Sequence, residues 1–85
     1  MVRTVYVNGA FVPEVEAKIS IFDRGFLFAD SVYEVITVLG GKLIDWGAHF
    51  NRLKRSLNNL NIAVRFNEQV LLELHRELIK LNNLK

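Results

Sequence analysis

Hydrophobic and polar positions change their spacing along this chain, and each spacing predicts a different element. Thr4-Val5-Tyr6-Val7 and Ala10-Phe11-Val12 flank Asn8-Gly9, a pair suited to the two positive-φ positions of a tight type I′ turn, so residues 4–12 read as a β-hairpin that Pro13 closes. Ser31 to Leu39 is a second β-rich run, interrupted only by Glu34, and Gly40-Gly41 followed by Lys42-Leu43-Ile44 predicts a second hairpin. Between the hairpins, Phe22 to Asp30 holds three Phe with no period of 2 or 3.6, and periodicity assigns it no shape. From Asp45, a candidate N-cap, the spacing turns helical: Trp46, Phe50, Leu53, Leu57 and Leu60 form one apolar stripe to about residue 60. Asn67 is the candidate cap of a second helix from Glu68 to about Asn82, with a stripe of Leu71, Leu74, Leu78 and Leu81 and a partial second one of Leu72 and Ile79. A helix apolar on two sides needs two neighbours. The fold class is α+β: a small antiparallel sheet of hairpins with two helices and sheet edges left unpaired.

Composition narrows the class. The chain has 85 residues, 51% apolar and 24% charged, so it is one small domain that can bury only about 60% of its unfolded surface. No apolar run approaches the roughly 20 residues of a membrane-spanning helix, and the start Met1-Val2-Arg3-Thr4 lacks a signal peptide's layout, which predicts a cytoplasmic chain with no membrane partner. Having no cysteine, the chain has neither disulfides nor thiolate ligands to staple so small a core, and other protein is expected to supply the missing stabilisation. The formal charge of +2 is uneven: residues 1–42 carry four Lys/Arg and five Asp/Glu, residues 43–85 seven and four. A mildly basic half suits a phosphate-bearing ligand, and it also allows a small nucleic-acid-binding module built on Arg52, Lys54, Arg55 and Arg65. The lack of a basic run or an aromatic-rich basic strand argues against nucleic acid.

Candidate chemistry is sparse. His49 and His75 lie on different helices, and His49 has no carboxylate at i+3 or i+4, so they predict flanking histidines rather than a metal site. Arg52 lies one turn after His49 and about 120° around the helix from the apolar stripe, hence beside the core. A planar guanidinium so placed either decorates a solvated face or grips a phosphate through paired hydrogen bonds. In the run from Ser31, alternation puts Val32, Glu34, Ile36 and Val38 on one face and Tyr33, Val35, Thr37 and Leu39 on the other, both apolar enough to be covered. Within such a run the Glu34 carboxylate and the Tyr33 phenol each need a partner, either as buried structural hydrogen bonds or as parts of a pocket wall.

Taken in order, Asp23-Arg24-Gly25-Phe26-Leu27-Phe28-Ala29-Asp30-Ser31-Val32-Tyr33-Glu34-Val35, the Gly-turn hairpin and His49-Phe50-Asn51-Arg52-Leu53 closely resemble the N-terminal part of the class IV, or fold type IV, aminotransferases. The opening Tyr6-Val7-Asn8-Gly9-Ala10-Phe11-Val12 fits the same family, so the resemblance covers essentially the whole chain. Tyr33-Glu34-Val35 looks most like the members that act on D-amino acids, where branched-chain aminotransferases tend to show Phe-Glu-Gly and aminodeoxychorismate lyases Phe-Glu-Thr.

The resemblance implies a pyridoxal 5′-phosphate (PLP) enzyme that exchanges an amino group between D-alanine-like amino acids and 2-oxoglutarate, usually as a homodimer. It places Arg52 on the cofactor phosphate, Tyr33 in the substrate pocket near the α-carboxylate, and His49 in support of Arg52. Asp23-Arg24-Gly25 is expected to be a structural turn and ion-pair element. Ala29 and Ser31 stand where glycines are common in the family, which adds a Cβ beside the pocket strand and can alter local backbone geometry. None of Lys18, Lys42, Lys54, Lys80 or Lys85 matches the Schiff-base lysine. The resemblance therefore implies no catalytic residue within residues 1–85, which would be an incomplete N-terminal small domain, with the lysine-bearing large domain after residue 85 and no activity in these residues alone.

Overall fold

The computed structural model describes residues 2–64 and 66–85. Strands β1 (Thr4–Val7) and β2 (Ala10–Pro13) pair antiparallel with Val5 opposite Val12 and Tyr6 opposite Phe11. Asn8 (φ 50°) and Gly9 (φ 85°) make the turn between them, as the Asn-Gly pair predicts. Tyr6 and Phe11 meet edge to face, with ring centroids 4.9 Å apart. A single 3₁₀ turn, Glu14–Glu16, leads away from β2.

The stretch without a period contains a short helix, α1 (Arg24–Phe28). Asp23 caps it, its carboxylate accepting from the Gly25 and Phe26 N–H groups at 2.9 and 3.4 Å. Five residues are too few for a hydrophobic stripe to repeat, which is why periodicity is silent here. A Cβ on Gly25 would stand 2.9 Å from the capping oxygen of Asp23 and 3.3 Å from the Ser31 Cβ, so a larger residue here would have to displace the cap. Arg24 pairs with Asp30 at 2.7 Å and lies over the Phe28 ring, so the Asp23-Arg24-Gly25 segment is the turn and ion-pair element expected of it. Ala29 ends α1 in the left-handed region (φ 59°), the conformation that a glycine would adopt without strain.

The second hairpin is shorter than the sequence suggests. Only β3 (Val38–Leu39) and β4 (Lys42–Leu43) form a ladder, across Gly40 and Gly41 at φ 61° and 75°, although the Ile44 N–H also donates to the Thr37 carbonyl at 2.9 Å. Residues 31–37 have no strand beside them among the described residues and so are not a β-strand. Their side chains still alternate: Val32, Glu34, Ile36 and Val38 are half-buried, whereas Tyr33, Val35, Thr37 and Leu39 are exposed. Within these residues only the first of the two faces is covered.

Helix α2 runs from Trp46 to Asn59 and α3 from Glu68 to Leu81. Asn67 caps α3 through its side-chain oxygen, which accepts from the N–H groups of Gln69 and Val70. Asp45 does not cap α2 in this way. It sits in the left-handed region (φ 57°, ψ 39°), which turns its carboxylate away from the first helical N–H groups, and only its backbone carbonyl takes part, accepting from His49. Both helices end in the same manner, with an asparagine at positive φ (Asn61, Asn83) followed by a residue whose N–H reaches back to Leu57 or Ile79, the Schellman arrangement.

Phe50 and Ile79 are the most buried apolar side chains among the described residues, and Trp46 stacks on Phe50 and against His75. Asn82 ties the end of α3 to β1: its amide accepts from the Thr4 N–H at 2.8 Å and donates to the Thr4 carbonyl at 2.9 Å. The result is a slab of 35 × 31 × 18 Å.

Candidate functional site

Arg52 and His49 lie three residues apart on α2 and therefore project from neighbouring positions of one helix flank. Opposite them runs the extended segment 31–37, whose half-buried face presents Glu34. The Glu34 carboxylate joins the two helix side chains. Its Oε2 accepts from Arg52 Nε at 2.7 Å, and its Oε1 accepts from Arg52 Nη2 at 2.8 Å, a fork of two parallel bonds. His49 Nδ1 lies 2.7 Å from the same Oε1 and donates to it. With Nδ1 acting as a donor, its 3.5 Å approach to Arg52 Nη2 brings together two donors that share one acceptor, and is not a hydrogen bond between them.

This arrangement sets the charges. The bonds from Arg52 and then His49, outweighing the opposing effect of burial, pull the Glu34 carboxyl down from 4.5 to about 2. The same hydrogen bond and the nearby carboxylate raise the already high pKa of Arg52. Glu34 is therefore an anion and Arg52 a cation at any physiological pH. The Arg52 side chain stays 57% exposed, and its Nη1 makes no hydrogen bond with the described residues. One edge of the guanidinium is fixed inward and the other faces outward.

Tyr33, the neighbour of Glu34, points the opposite way, as alternation requires, and is 84% exposed. Arg52 and Tyr33 are thus carried by adjoining elements, while the carboxylate that organises Arg52 comes from the residue next to Tyr33. Sequence reasoning identified Glu34 as a carboxylate in need of a partner but not which partner; a carboxylate in an apolar run facing an Arg/His pair one helical turn apart was the available signal. His75 is accounted for structurally: its Nδ1 lies 2.8 Å from the Leu71 carbonyl and its ring packs on Trp46. Among the described residues no three His, Cys, Asp or Glu side chains converge as a metal site would need, and no helix is long and apolar enough to cross a membrane. Of the four basic residues that a nucleic-acid module would use, Arg52 is paired on one edge with Glu34, Lys54 lies over the Phe50 ring, Arg55 is exposed on α2, and Arg65 lies outside the described residues.

Comparison with known proteins gives this geometry a context. A family model described as amino-transferase class IV matches residues 31–85, which include Glu34, His49 and Arg52. The chain is 38% identical over 81 residues to the D-alanine aminotransferase of Staphylococcus aureus (strain N315), an alignment covering 95% of this chain and 29% of that protein. It is 42% identical over 79 residues to the D-alanine aminotransferase of Staphylococcus epidermidis (strain ATCC 12228), covering 93% and 28%. An aminodeoxychorismate lyase of Bacillus subtilis (strain 168) is 39% identical over 83 residues, covering 95% and 28%. The chain thus spans under a third of the length of these relatives. With the family match extending over more than half of its residues, and with the turns, α+β elements and helical His-Arg motif in the order that its sequence predicts, the chain belongs to the class IV aminotransferases.

Proposed function

We propose that these residues form the cofactor-phosphate side of a D-amino-acid transaminase that uses PLP. The observation that carries the reading is the posture of Arg52: a permanent cation on a packed helix, clamped on one edge by Glu34 and open on the other. The donor set fits a phosphate ester in kind. Because Glu34 offsets its charge, Arg52 offers directed N–H donors more than net positive charge, so further phosphate contacts come from outside these residues. The chemistry such a cofactor supplies is temporary storage of an amino group and its electrons between a donor amino acid and a 2-oxo acid. Arg52 holds the phosphate so that the ring keeps one orientation, a positioning contribution rather than proton transfer. Tyr33 lines the substrate pocket near the α-carboxylate, and its exposed phenol is free to do so once further protein covers that face.

In this reading D-alanine is the amino donor and 2-oxoglutarate the acceptor, the whole protein is a cytoplasmic homodimer, and the 85 residues alone do not transaminate, because the lysine that bonds the cofactor is not among them. The test is Arg52→Ala in the whole protein that carries these residues. The apparent Kd for PLP is expected to rise about tenfold to a hundredfold, the loss of one charge-assisted contact. An unchanged Kd would remove Arg52 from the cofactor site. A second reading, an aminodeoxychorismate lyase, is favoured by the Bacillus subtilis relative; profiling the whole protein on D-alanine with 2-oxoglutarate and on aminodeoxychorismate separates the two.

A further inference from the structure

We infer that Glu34 is the positioning residue of this site: it does not touch the cofactor, but it locks Arg52 and His49 into the one arrangement in which the guanidinium's outer edge faces a phosphate. The inference rests on the proposed phosphate role of Arg52 and goes beyond it by assigning a function to a carboxylate that an anion site would be expected to exclude.

The case is stereochemical. Glu34 accepts three N–H donors with two oxygens, Arg52 Nε and Nη2 together with His49 Nδ1, all at 2.7–2.8 Å. Its side chain is only 12% exposed, whereas the guanidinium it holds is largely in water. An arginine on an exposed flank has several rotatable bonds, and without a partner it samples many orientations. The fork removes that freedom before any ligand arrives. It also fixes the His49 tautomer, with Nδ1 carrying the proton, so that the imidazole backs the same oxygen and does not compete for Arg52.

The simplest opposing view makes the opposite prediction. If Glu34 mattered only through its charge, it would repel a phosphate, and neutralising it would tighten binding. If it matters by holding Arg52, neutralising it loosens binding. An exposed site screens the first effect, while nothing else among the described residues bonds the Arg52 guanidinium in the way of the second.

The experiment measures PLP and phosphate-free pyridoxal by equilibrium dialysis against the whole apoprotein and its Glu34→Gln, Glu34→Asp, Arg52→Ala and Glu34→Gln/Arg52→Ala variants. Glutamine matches the shape but has one acceptor where three donors converge; aspartate keeps the charge but is one methylene too short to close the fork. Both are expected to weaken PLP about five- to tenfold while leaving pyridoxal unchanged. In the Arg52→Ala background, Glu34→Gln is expected to add nothing. Tighter PLP binding in Glu34→Gln, an unchanged Kd in both single variants, equal loss for PLP and pyridoxal, or full additivity in the double variant would each overturn the inference. Should Arg52→Ala itself leave PLP affinity intact, the phosphate role fails first, a result distinct from all of these.

Discussion

Glu34 joins a strand-like segment to the flank of a helix through three hydrogen bonds that its protonation would weaken. A carboxyl drawn down to about 2 by Arg52 and His49 gives a defined pH signature. Because its folded pKa lies below its unfolded value of 4.5, ionised Glu34 contributes stability that is fully present above about pH 5 and disappears as pH falls through 4.5 towards 2. The gap in melting temperature between the wild type and Glu34→Gln is therefore expected to be constant from pH 7 to about 5 and to shrink below that; a gap that closes already between pH 7 and 6 would show that the Glu34 carboxyl is not held down by this pairing. At this scale the sequence was only partly readable. The sideways placement of Arg52 follows from 100° per residue along α2, and the inward placement of Glu34 from alternation. Their contact does not follow from either, because it joins residues 18 positions apart through tertiary structure that no local spacing encodes.

Elements are legible in the sequence at several turns and caps that have their own chemistry. Asn8-Gly9 and Gly40-Gly41 supply the positive φ values that tight hairpins demand, and Asn67 supplies a side-chain acceptor just where α3 begins. The composition of residues 31–37 suits a strand, yet a ladder requires a neighbour, and alternation alone persists without it. Asp45 departs from expectation for a related reason: its identity suits an N-cap, but its backbone enters α2 through the left-handed region and its carboxylate makes no cap bond. The two asparagine and aspartate positions therefore differ in what they contribute. Asn67→Ala is expected to cost about 1 kcal/mol, seen as a lower melting temperature, since two N–H groups lose their acceptor. Asp45→Gly is expected to leave the melting temperature unchanged or to raise it, because no side-chain bond is lost and glycine accepts positive φ without strain. Equal losses for the two variants would show that Asp45 caps α2 after all.

The whole molecule is more open than its mass requires. A compact chain of 9.8 kDa exposes about 5,200 Å², whereas this one exposes 6964 Å². The excess is not spread evenly. Ile19, Ile21, Phe22, Phe26, Phe28, Tyr33, Val35 and Leu39 are all at least 60% exposed, and they belong to one segment, the stretch from the first hairpin to the second. Surface of this kind suits a face that further protein covers, as the proposed reading expects. Coverage also bears on chemistry, since Tyr33 and Val35 lie on the uncovered side of the segment whose other side holds Glu34: a wall packed on both faces would fix the carboxylate, and through it Arg52, more rigidly than one packed on a single face. Hydroxyl-radical labelling reads this directly. Phe22, Phe26 and Tyr33 are expected to react several-fold more slowly in the whole protein than in the 85-residue chain alone, while Tyr6 and Phe11, already packed on one another in the first hairpin, change little. Equal labelling of Tyr33 in both would leave the segment bare in the whole protein and would detach the proposed pocket role from that side chain.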